Sequence, residues 1–359
     1  MSRPPGEADR VAIRADLHGA RAYGAPQLDV AVRLNTNETP YPPPPAFVAG
    51  LAERLGGLAL HRYPDRDHHA LRRALAARFE VDPAGVWAAN GSNEVLAQLL
   101  TAYGGPGRRV LATAPGFPAL ATIARATGTE VVTVDLHAPG YDLEPARAAA
   151  AVARHTPTLI CLARPNNPTG TSVSLAALEA LHDAGDALLI VDEAYAEFAA
   201  DDARSLLDRL PRVVLTRTFS KAFRLAGLRL GYLLGPAWVV EDLQLVRLPY
   251  HLDAITQTAG VLACEQADEL TAHIARIVDE RERITSALRA RTDLTVIPSQ
   301  ANFVLLTAAA TDLFDRLLAV GVLVRDVAEA TGVPGSVRVT VGTPAENDRF
   351  LSALEEVLP

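Results

Sequence analysis

The chain has 359 residues and a formal net charge of −8, and 49% of its residues are hydrophobic. This length and apolar content can bury a large core and predict two structural domains. The negative charge argues against non-specific nucleic-acid binding, which requires a basic surface. Only Cys161 and Cys264 occur, which excludes a disulfide framework and favours a reducing compartment.

Targeting and metal-binding signals are weak. We find neither a cationic, apolar signal segment at the N-terminus nor an apolar run of membrane length, and we therefore expect a cytoplasmic protein. His68 and His69 are adjacent but lack the Cys or spaced His partners of a zinc site. We expect no metal.

Three regions follow one another along the chain. Residues 1–45 are polar and proline-rich, which predicts an extended N-terminal arm with little structure of its own. Residues 46–255 alternate apolar strand candidates with helical stretches, the pattern of an α/β domain with a mostly parallel sheet. Residues 256–359 predict a small α+β domain, which starts with one long helix over about 255–290. The strand candidates of the large domain lie near 108–114, 129–135, 158–163, 187–191, 212–216 and 228–234.

Lys221 is the only lysine, and the other 33 of the 34 basic residues are arginines. Compositional pressure towards arginine accounts for the missing lysines but not for the one that remains. Arginine replaces lysine as a surface cation, but only a lysine amine can lose its proton and attack a carbonyl group to form a Schiff base. Lys221 is therefore a candidate nucleophile.

The residues around Lys221 favour a phosphorylated carbonyl compound as ligand. An apolar run at 213–215 leads into Thr218 and Ser220, and Arg229 follows eight residues after the lysine. Ligands of open α/β sheets bind at the carboxyl ends of strands. Two hydroxyls and a guanidinium next to an amine suit a phosphate group.

Four further strand ends carry polar or aromatic residues. A glycine turn precedes Ser92 and Asn93 at a predicted helix start, where backbone N–H groups bind phosphate or simply form a capped helix. Asn167 lies in a dense turn after a strand, and Asp192 and Tyr195 follow the next strand. Phe117 ends another strand and offers an aromatic face. Taken singly, the glycine turn before Ser92 is more typical of an ordinary capped helix and Phe117 of the core than of a ligand site, and the stretch around Asn167 is also typical of a simple turn.

In this order, the motifs resemble the fold-type-I aminotransferases, which use pyridoxal 5′-phosphate (PLP). The similarity rests on Asn-Asn-Pro-Thr-Gly at 166–170, Asp-Glu-Ala-Tyr at 192–195 and Thr-Phe-Ser-Lys at 218–221 followed by Arg229. Five other segments resemble the histidinol-phosphate aminotransferase branch, and they lie at 23–29, 33–38, 62–65, 248–252 and 337–343.

The resemblance implies a role for each site residue. Lys221 would bind PLP covalently and move the proton between the substrate Cα and cofactor C4′. Asp192 would pair with the pyridinium nitrogen, while Tyr195 and Asn167 would hydrogen-bond the phenolic oxygen. Phe117 would stack on the ring. The phosphate would be held by Ser92, Asn93, Thr218, Ser220 and Arg229, with Tyr63 from a second subunit.

Substrate residues and assembly follow from the same resemblance. Arg338 would bind the substrate α-carboxylate with its bidentate fork, and Arg325 would meet the distal anionic group. Tyr23, Asn35 and Tyr250 would complete the substrate site. The arm and Tyr63 imply a homodimer with shared active sites.

We therefore expect transamination between histidinol phosphate and 2-oxoglutarate in histidine biosynthesis. Three alternatives remain open: an aromatic or specialised-metabolism aminotransferase, a PLP decarboxylase of a phosphorylated amino acid, and a regulatory PLP-binding module. The last lacks any basic helix-turn-helix extension in this chain.

Overall fold

The computed structural model describes residues 11–20, 22, 24–138 and 140–358. Within them the strands are β1 (Val32–Arg33), β2 (Val86–Ala89), β3 (Arg109–Ala114), β4 (Glu130–Asp135), β5 (Leu159–Ala163), β6 (Leu188–Asp192), β7 (Val213–Thr218), β8 (Gly231–Leu234), β9 (Leu294–Val296), β10 (Phe303–Ala308), β11 (Val322–Leu323), β12 (Arg325–Asp326) and β13 (Ser336–Thr340). The α-helices are α1 (Pro45–Leu55), α2 (His69–Phe79), α3 (Ser92–Tyr103), α4 (Pro118–Thr127), α5 (Pro145–His155), α6 (Leu175–Asp183), α7 (Ala237–Val246), α8 (Ala254–Glu265), α9 (Ala267–Thr271), α10 (Ile274–Arg289), α11 (Leu313–Ala319), α12 (Ala328–Thr331) and α13 (Pro344–Val357).

The central sheet has the strand order β2-β8-β7-β6-β5-β3-β4. Strands β7, β6, β5, β3 and β4 are parallel, and β8 runs antiparallel to both of its neighbours. Every residue of β5 and β6 is buried, as expected for strands with both faces covered. The predicted α/β class with a mostly parallel sheet is confirmed.

Alternate residues of the central strands face two helical layers, because side chains alternate across a strand. Leu159 and Ile190 pack in the cluster that contains residues of α3, α4 and α7. Ile160 and Val191 pack in the cluster that contains residues of α5 and α6. The sheet is thus the middle layer between two sets of helices.

The C-terminal part contains an antiparallel sheet in the order β12-β13-β10-β9. Helices α10 and α13 pack against each other beside it. The prediction of one helix over 255–290 is wrong, since α8, α9 and α10 are separate. The break before α10 lies at His273, which is buried and accepts a hydrogen bond from Arg224 (Nε to Nδ1, 2.8 Å). This tertiary contact overrides the helical pattern.

The end of the predicted arm joins the C-terminal part. Strand β1 pairs in parallel with β11, and the carbonyl of Leu34 accepts a hydrogen bond from the Thr340 amide (2.9 Å). Residues 35–37 follow directly and are thereby held against β13. The domain boundaries at 45 and 255 stay a prediction.

None of the described helices is both long and apolar enough to span a bilayer.

Candidate functional site

The site lies at the carboxyl edge of the central sheet. Asp192 is the last residue of β6 and Thr218 the last residue of β7, and these strands are parallel neighbours. Phe117 follows the end of β3, and Asn167 follows the end of β5. Parallel strands bring these four chain-distant residues to one edge, as the sequence predicted.

Lys221 follows β7 by three residues, and its Nζ donates a hydrogen bond to the carbonyl oxygen of Thr36 (2.9 Å). Burial lowers the pKa of the Lys221 amine to about 8, and the positive charge of Arg338 acts in the same direction. A buried amine favours its neutral form because the charged form loses its hydration. Near neutral pH the amine is therefore able both to take up and to release a proton.

The carboxylate of Asp192 is buried and only partly compensated. Its Oδ1 accepts hydrogen bonds from the Ala194 amide (3.2 Å) and from Thr216 Oγ1 (3.3 Å). Burial nevertheless raises the pKa of Asp192 to about 6. A cationic nitrogen next to this carboxylate would restore its ionised form.

Tyr195 lies three residues beyond Asp192 and is also buried. Its phenolic oxygen accepts a hydrogen bond from Asn37 Nδ2 (2.9 Å), and its ring packs edge-on against Phe303 with 5.1 Å between ring centroids. A polar contact and an aromatic contact thus help to fix the phenol.

Asn167 and Arg338 are joined directly. Arg338 Nη1 donates to Asn167 Oδ1 (2.6 Å), and Arg338 Nη2 donates to the carbonyl oxygen of Asn35 (2.8 Å). With Oδ1 engaged by the guanidinium, the Asn167 amide presents its Nδ2 donor to any ligand acceptor. Arg338 therefore contacts both Asn35, another predicted substrate residue, and Asn167, a predicted cofactor residue.

A polar cradle is formed around the start of α3. Thr218 Oγ1 donates to Ser220 Oγ (2.9 Å), which also accepts from Arg229 Nη1 (3.3 Å). A Cβ atom on Gly91 would lie 2.9 Å from Arg229 Nη2, so the guanidinium approaches the helix N-terminus closely. The free backbone N–H groups of a helix start together with an arginine bind anions.

The other two predicted phosphate residues lie in the first turn of α3. Ser92 is its first residue and is half-buried, and Asn93 is its second residue and is exposed.

A cavity of about 1030 Å³ opens at the same edge. Its lining includes five predicted site residues: Phe117, Asn167, Asp192, Arg325 and Arg338. Arg325 on β12 lies opposite Arg338 on β13 in the antiparallel register, and its Nη1 donates to the Gly24 carbonyl (3.0 Å). Arg325 and Arg338 therefore line the same cavity. This arrangement suits a ligand with two anionic groups.

The remaining predicted residues lie elsewhere. Tyr63 is 79% exposed and stacks on Tyr250, with 4.4 Å between ring centroids and 13° between planes. Neither tyrosine lines the cavity within this chain. Tyr23 lies outside the described residues.

Several contact residues were not among the predicted site residues, including Thr36, Asn37 and Thr216. Thr216 lies inside β7, where nothing in the local pattern distinguishes it from core. Asn37 lies in the arm, and its only signal was its place in the Asn-Thr-Asn stretch at 35–37.

Among the residues that the structure describes, no three His, Cys, Asp or Glu side chains are grouped so as to hold a metal ion.

Comparisons with known proteins identify the family. The profile of the family "Aminotransferase class I and II" matches residues 29–354. A histidinol-phosphate aminotransferase of Nocardia farcinica is 47% identical over 355 residues, which cover 96% of this chain and 91% of that protein. One from Thermobifida fusca is also 47% identical, with 96% of this chain and 95% of that protein covered.

The fold agrees with a solved structure of the same kind of enzyme. The histidinol-phosphate aminotransferase of Sinorhizobium meliloti, solved in complex with pyridoxal-5′-phosphate, superposes with a TM-score of 0.86. The two proteins are 27% identical, and the match covers 98% of this chain and 99% of that chain. This chain therefore belongs to the class I and II aminotransferases, within their histidinol-phosphate aminotransferase branch.

Proposed function

We propose that this protein is a PLP-dependent histidinol-phosphate aminotransferase, which passes the amino group of histidinol phosphate to 2-oxoglutarate in histidine biosynthesis. The 47% identity to histidinol-phosphate aminotransferases over nearly the full chain supports this substrate. The observation that carries the proposal is Lys221, the only lysine, whose buried amine has a pKa of about 8 at the edge of the sheet.

The residues present fit PLP in three respects. The cradle of Thr218, Ser220, Arg229 and the start of α3 offers hydroxyls, a guanidinium and N–H groups to its phosphate. Within the described part of the chain, the buried carboxylate of Asp192 accepts hydrogen bonds from the neutral Ala194 amide and Thr216 hydroxyl, and a protonated pyridine nitrogen would supply a cationic partner. The adjoining cavity has room for a ring and a substrate.

When bound, PLP supplies an electron sink for the carbon that loses its proton. Lys221 Nζ would take the proton from the substrate Cα and deliver it to the cofactor C4′, because an amine with a pKa near 8 does both at neutral pH. Asp192 would keep the pyridine nitrogen protonated. Tyr195 and Asn167 would donate hydrogen bonds to the phenolic oxygen, and Phe117 would pack against the ring.

Two arginines support a substrate with a distal anion. Arg325 would bind the phosphate of histidinol phosphate, and Arg338 the α-carboxylate of glutamate or 2-oxoglutarate. Asn35 would act through Arg338, whose guanidinium its carbonyl oxygen orients. Tyr23 would assist Arg325 at the phosphate, and Tyr250, which does not line the cavity of its own chain, would do so in the cavity of the partner subunit.

We propose further that the protein is a homodimer. Leu245 and Leu248, which closely precede Tyr250 in the chain, are 82% and 73% exposed, and a second subunit would cover such apolar side chains. Tyr63 would then reach the PLP phosphate of the partner subunit. A cytoplasmic location is consistent with Cys161 and Cys264, which form no disulfide.

The decisive experiment combines cofactor attachment with a donor panel. Borohydride reduction of the PLP-treated protein should attach the cofactor at Lys221, as mass spectrometry of the peptides would show. In a separate assay with unreduced, PLP-loaded protein, histidinol phosphate should react with 2-oxoglutarate faster than phenylalanine or tyrosine does. Preference for an aromatic donor would establish the aromatic alternative, and carbon dioxide release from threonine phosphate without consumption of the oxo acid would establish the decarboxylase.

Mixed dimers test the shared site. Tyr63→Ala and Lys221→Ala dimers, each impaired alone, should regain activity after subunit exchange, because one mixed site carries both native residues. If mass spectrometry shows exchange without any gain of activity, the sites are built within one chain.

A further inference from the structure

Three consecutive residues of the arm each contact a different residue of the site. The carbonyl of Asn35 accepts from Arg338 (2.8 Å), the carbonyl of Thr36 accepts from Lys221 Nζ (2.9 Å), and the side chain of Asn37 donates to Tyr195 (2.9 Å). In the first two contacts the arm uses backbone carbonyl groups, and only in the third does it use a side chain, that of Asn37. Its chemistry is therefore set by the identity of residue 37.

Asn37 is held in one orientation by its neighbours. Its backbone is left-handed, with φ 56°, a conformation that asparagine tolerates better than most residues. Its amide N–H donates to Thr340 Oγ1 (2.9 Å), and its carbonyl accepts from Asn302 Nδ2 (3.0 Å). The Thr340 hydroxyl donates to Asn37 Oδ1 (3.2 Å), which turns Nδ2 towards Tyr195.

This orientation determines what the phenol of Tyr195 can do. Its oxygen already accepts a hydrogen bond from Asn37, so its single O–H proton points to a different acceptor. A donated hydrogen bond polarises the O–H group and strengthens the bond that it donates in turn. Both residues are buried, where such polarisation is screened least.

We infer that Asn37 is a positioning residue, which makes Tyr195 a hydrogen-bond donor to the phenolic oxygen of PLP. This inference rests on the proposed function. It adds a chain of hydrogen bonds from Thr340 through Asn37 to Tyr195. Through these bonds, strand β13 of the C-terminal sheet orients a residue at the edge of the central sheet.

The test is a pH titration of the absorption spectrum of the PLP-loaded protein. A donor to the cofactor's phenolic oxygen disperses its negative charge and weakens its hold on the neighbouring proton. Asn37→Gly removes the amide while it accommodates the left-handed backbone. The midpoint of the spectral change should shift upwards by about half a pH unit. Asn37→Ser, whose shorter side chain does not reach the phenol, should do the same if the glycine variant fails to fold.

Tyr195→Phe provides the matched control. In this background Asn37→Gly should leave the midpoint unchanged, because the hydroxyl through which it acts is gone. All variants retain Lys221 and the residues whose charges act on its amine, which are Glu38, Arg229 and Arg338. They also retain Asp192.

The outcomes separate the two proposals. An unchanged midpoint in the Asn37 variants, or an equal shift with and without the Tyr195 hydroxyl, would overturn the role of Asn37 alone. Failure of the wild-type protein to bind PLP would overturn the proposed function itself.

Discussion

At the residue scale, burial sets the protonation chemistry of the site. It lowers the pKa of Lys221 to about 8 and raises that of Asp192 to about 6, so both groups titrate near neutral pH. Shifted pKa values are common at functional sites, because binding and proton transfer require ionisable side chains. Such side chains are otherwise excluded from a folded core. Neither shift arises from an ion pair, and both are consequences of position in the fold.

Asp192, the last residue of β6, and Tyr195, three residues beyond it, should differ in importance. Asp192→Ala removes the charge that would keep the pyridine nitrogen protonated, whereas Tyr195→Phe removes one hydrogen bond. Turnover should fall at least about tenfold further in Asp192→Ala, which corresponds to about 1.4 kcal/mol in the barrier. Steady-state kinetics with saturating PLP measures this. A larger loss in Tyr195→Phe would mean that the roles are reversed.

The two cavity arginines should separate the donors. Arg325→Ala should lower kcat/KM for histidinol phosphate at least about a hundredfold and that for phenylalanine much less. Arg325 is half-buried, and a bound phosphate would bury the charge pair further; removal of one partner of a buried charge pair costs about 2–5 kcal/mol. Arg338→Ala should impair glutamate more than histidinol phosphate, which has no α-carboxylate.

Arg316→Ala is the control for the arginine series. This residue forms an exposed ion pair with Asp312, and such pairs contribute about 0–1 kcal/mol. Its kcat/KM values should match those of the wild type. Equal losses for both donors in Arg325→Ala would refute a phosphate site.

At the element scale, the close approach of β8 to the start of α3 shapes the phosphate cradle. A Cβ atom on Gly231 would lie 2.1 Å from the Ser92 amide nitrogen and 2.3 Å from the Gly91 carbonyl carbon. These are backbone atoms, so a side chain here would displace the first turn of the helix. The glycine is required by proximity, since its φ is not positive.

Gly231→Ala should therefore weaken PLP binding at least about tenfold, or about 1.4 kcal/mol. Fluorescence titration with PLP gives the dissociation constants. Gly227→Ala is the matched control, because nothing lies within 4 Å of its added Cβ atom. Unaltered PLP affinity in Gly231→Ala would show that the start of α3 does not hold the phosphate.

At the scale of the whole molecule, buried histidines should limit stability in acid. His68 packs edge-on against Trp87 and His251, and burial lowers its pKa to about 3. The nearby charges of Arg72 and Arg247 lower it further, while Asp65 opposes them. Below a pH of about 6.5, His68 is protonated in the unfolded chain but stays neutral in the folded chain. The free energy of unfolding therefore decreases as the pH falls from about 6.5 towards 3.

The prediction concerns the difference between a variant and the wild type, because buried carboxylates titrate in the same range. Between pH 7 and pH 5, the free energy of unfolding should decrease by about 2 kcal/mol less in His68→Leu than in the wild type. Urea unfolding at the two pH values measures this. The exposed His61 provides a control, and His61→Gln should follow the wild type. Identical losses in His68→Leu and wild type would place the proton uptake elsewhere.

The sequence by itself determined the central sheet, the family and the residues at the strand ends. Buried parallel strands are continuous apolar runs, and their ends are marked by polar turns such as that around Asn167. Lys221 was found because arginine cannot perform its chemistry, and its strand-end position followed from the local pattern. These signals involve residues close together in the sequence, so they can be recognised without knowledge of the fold.

Only the tertiary structure decided how the arm and the C-terminal sheet meet the site. Arg325 lies opposite Arg338 because β12 pairs with β13, and Asn37 contacts Tyr195, 158 positions away, because β1 pairs with β11. The break before α10 likewise depends on the contact between His273 and Arg224. Such contacts depend on strand register and packing, which the local pattern of residues does not encode, since each partner is also compatible with an ordinary loop or surface position.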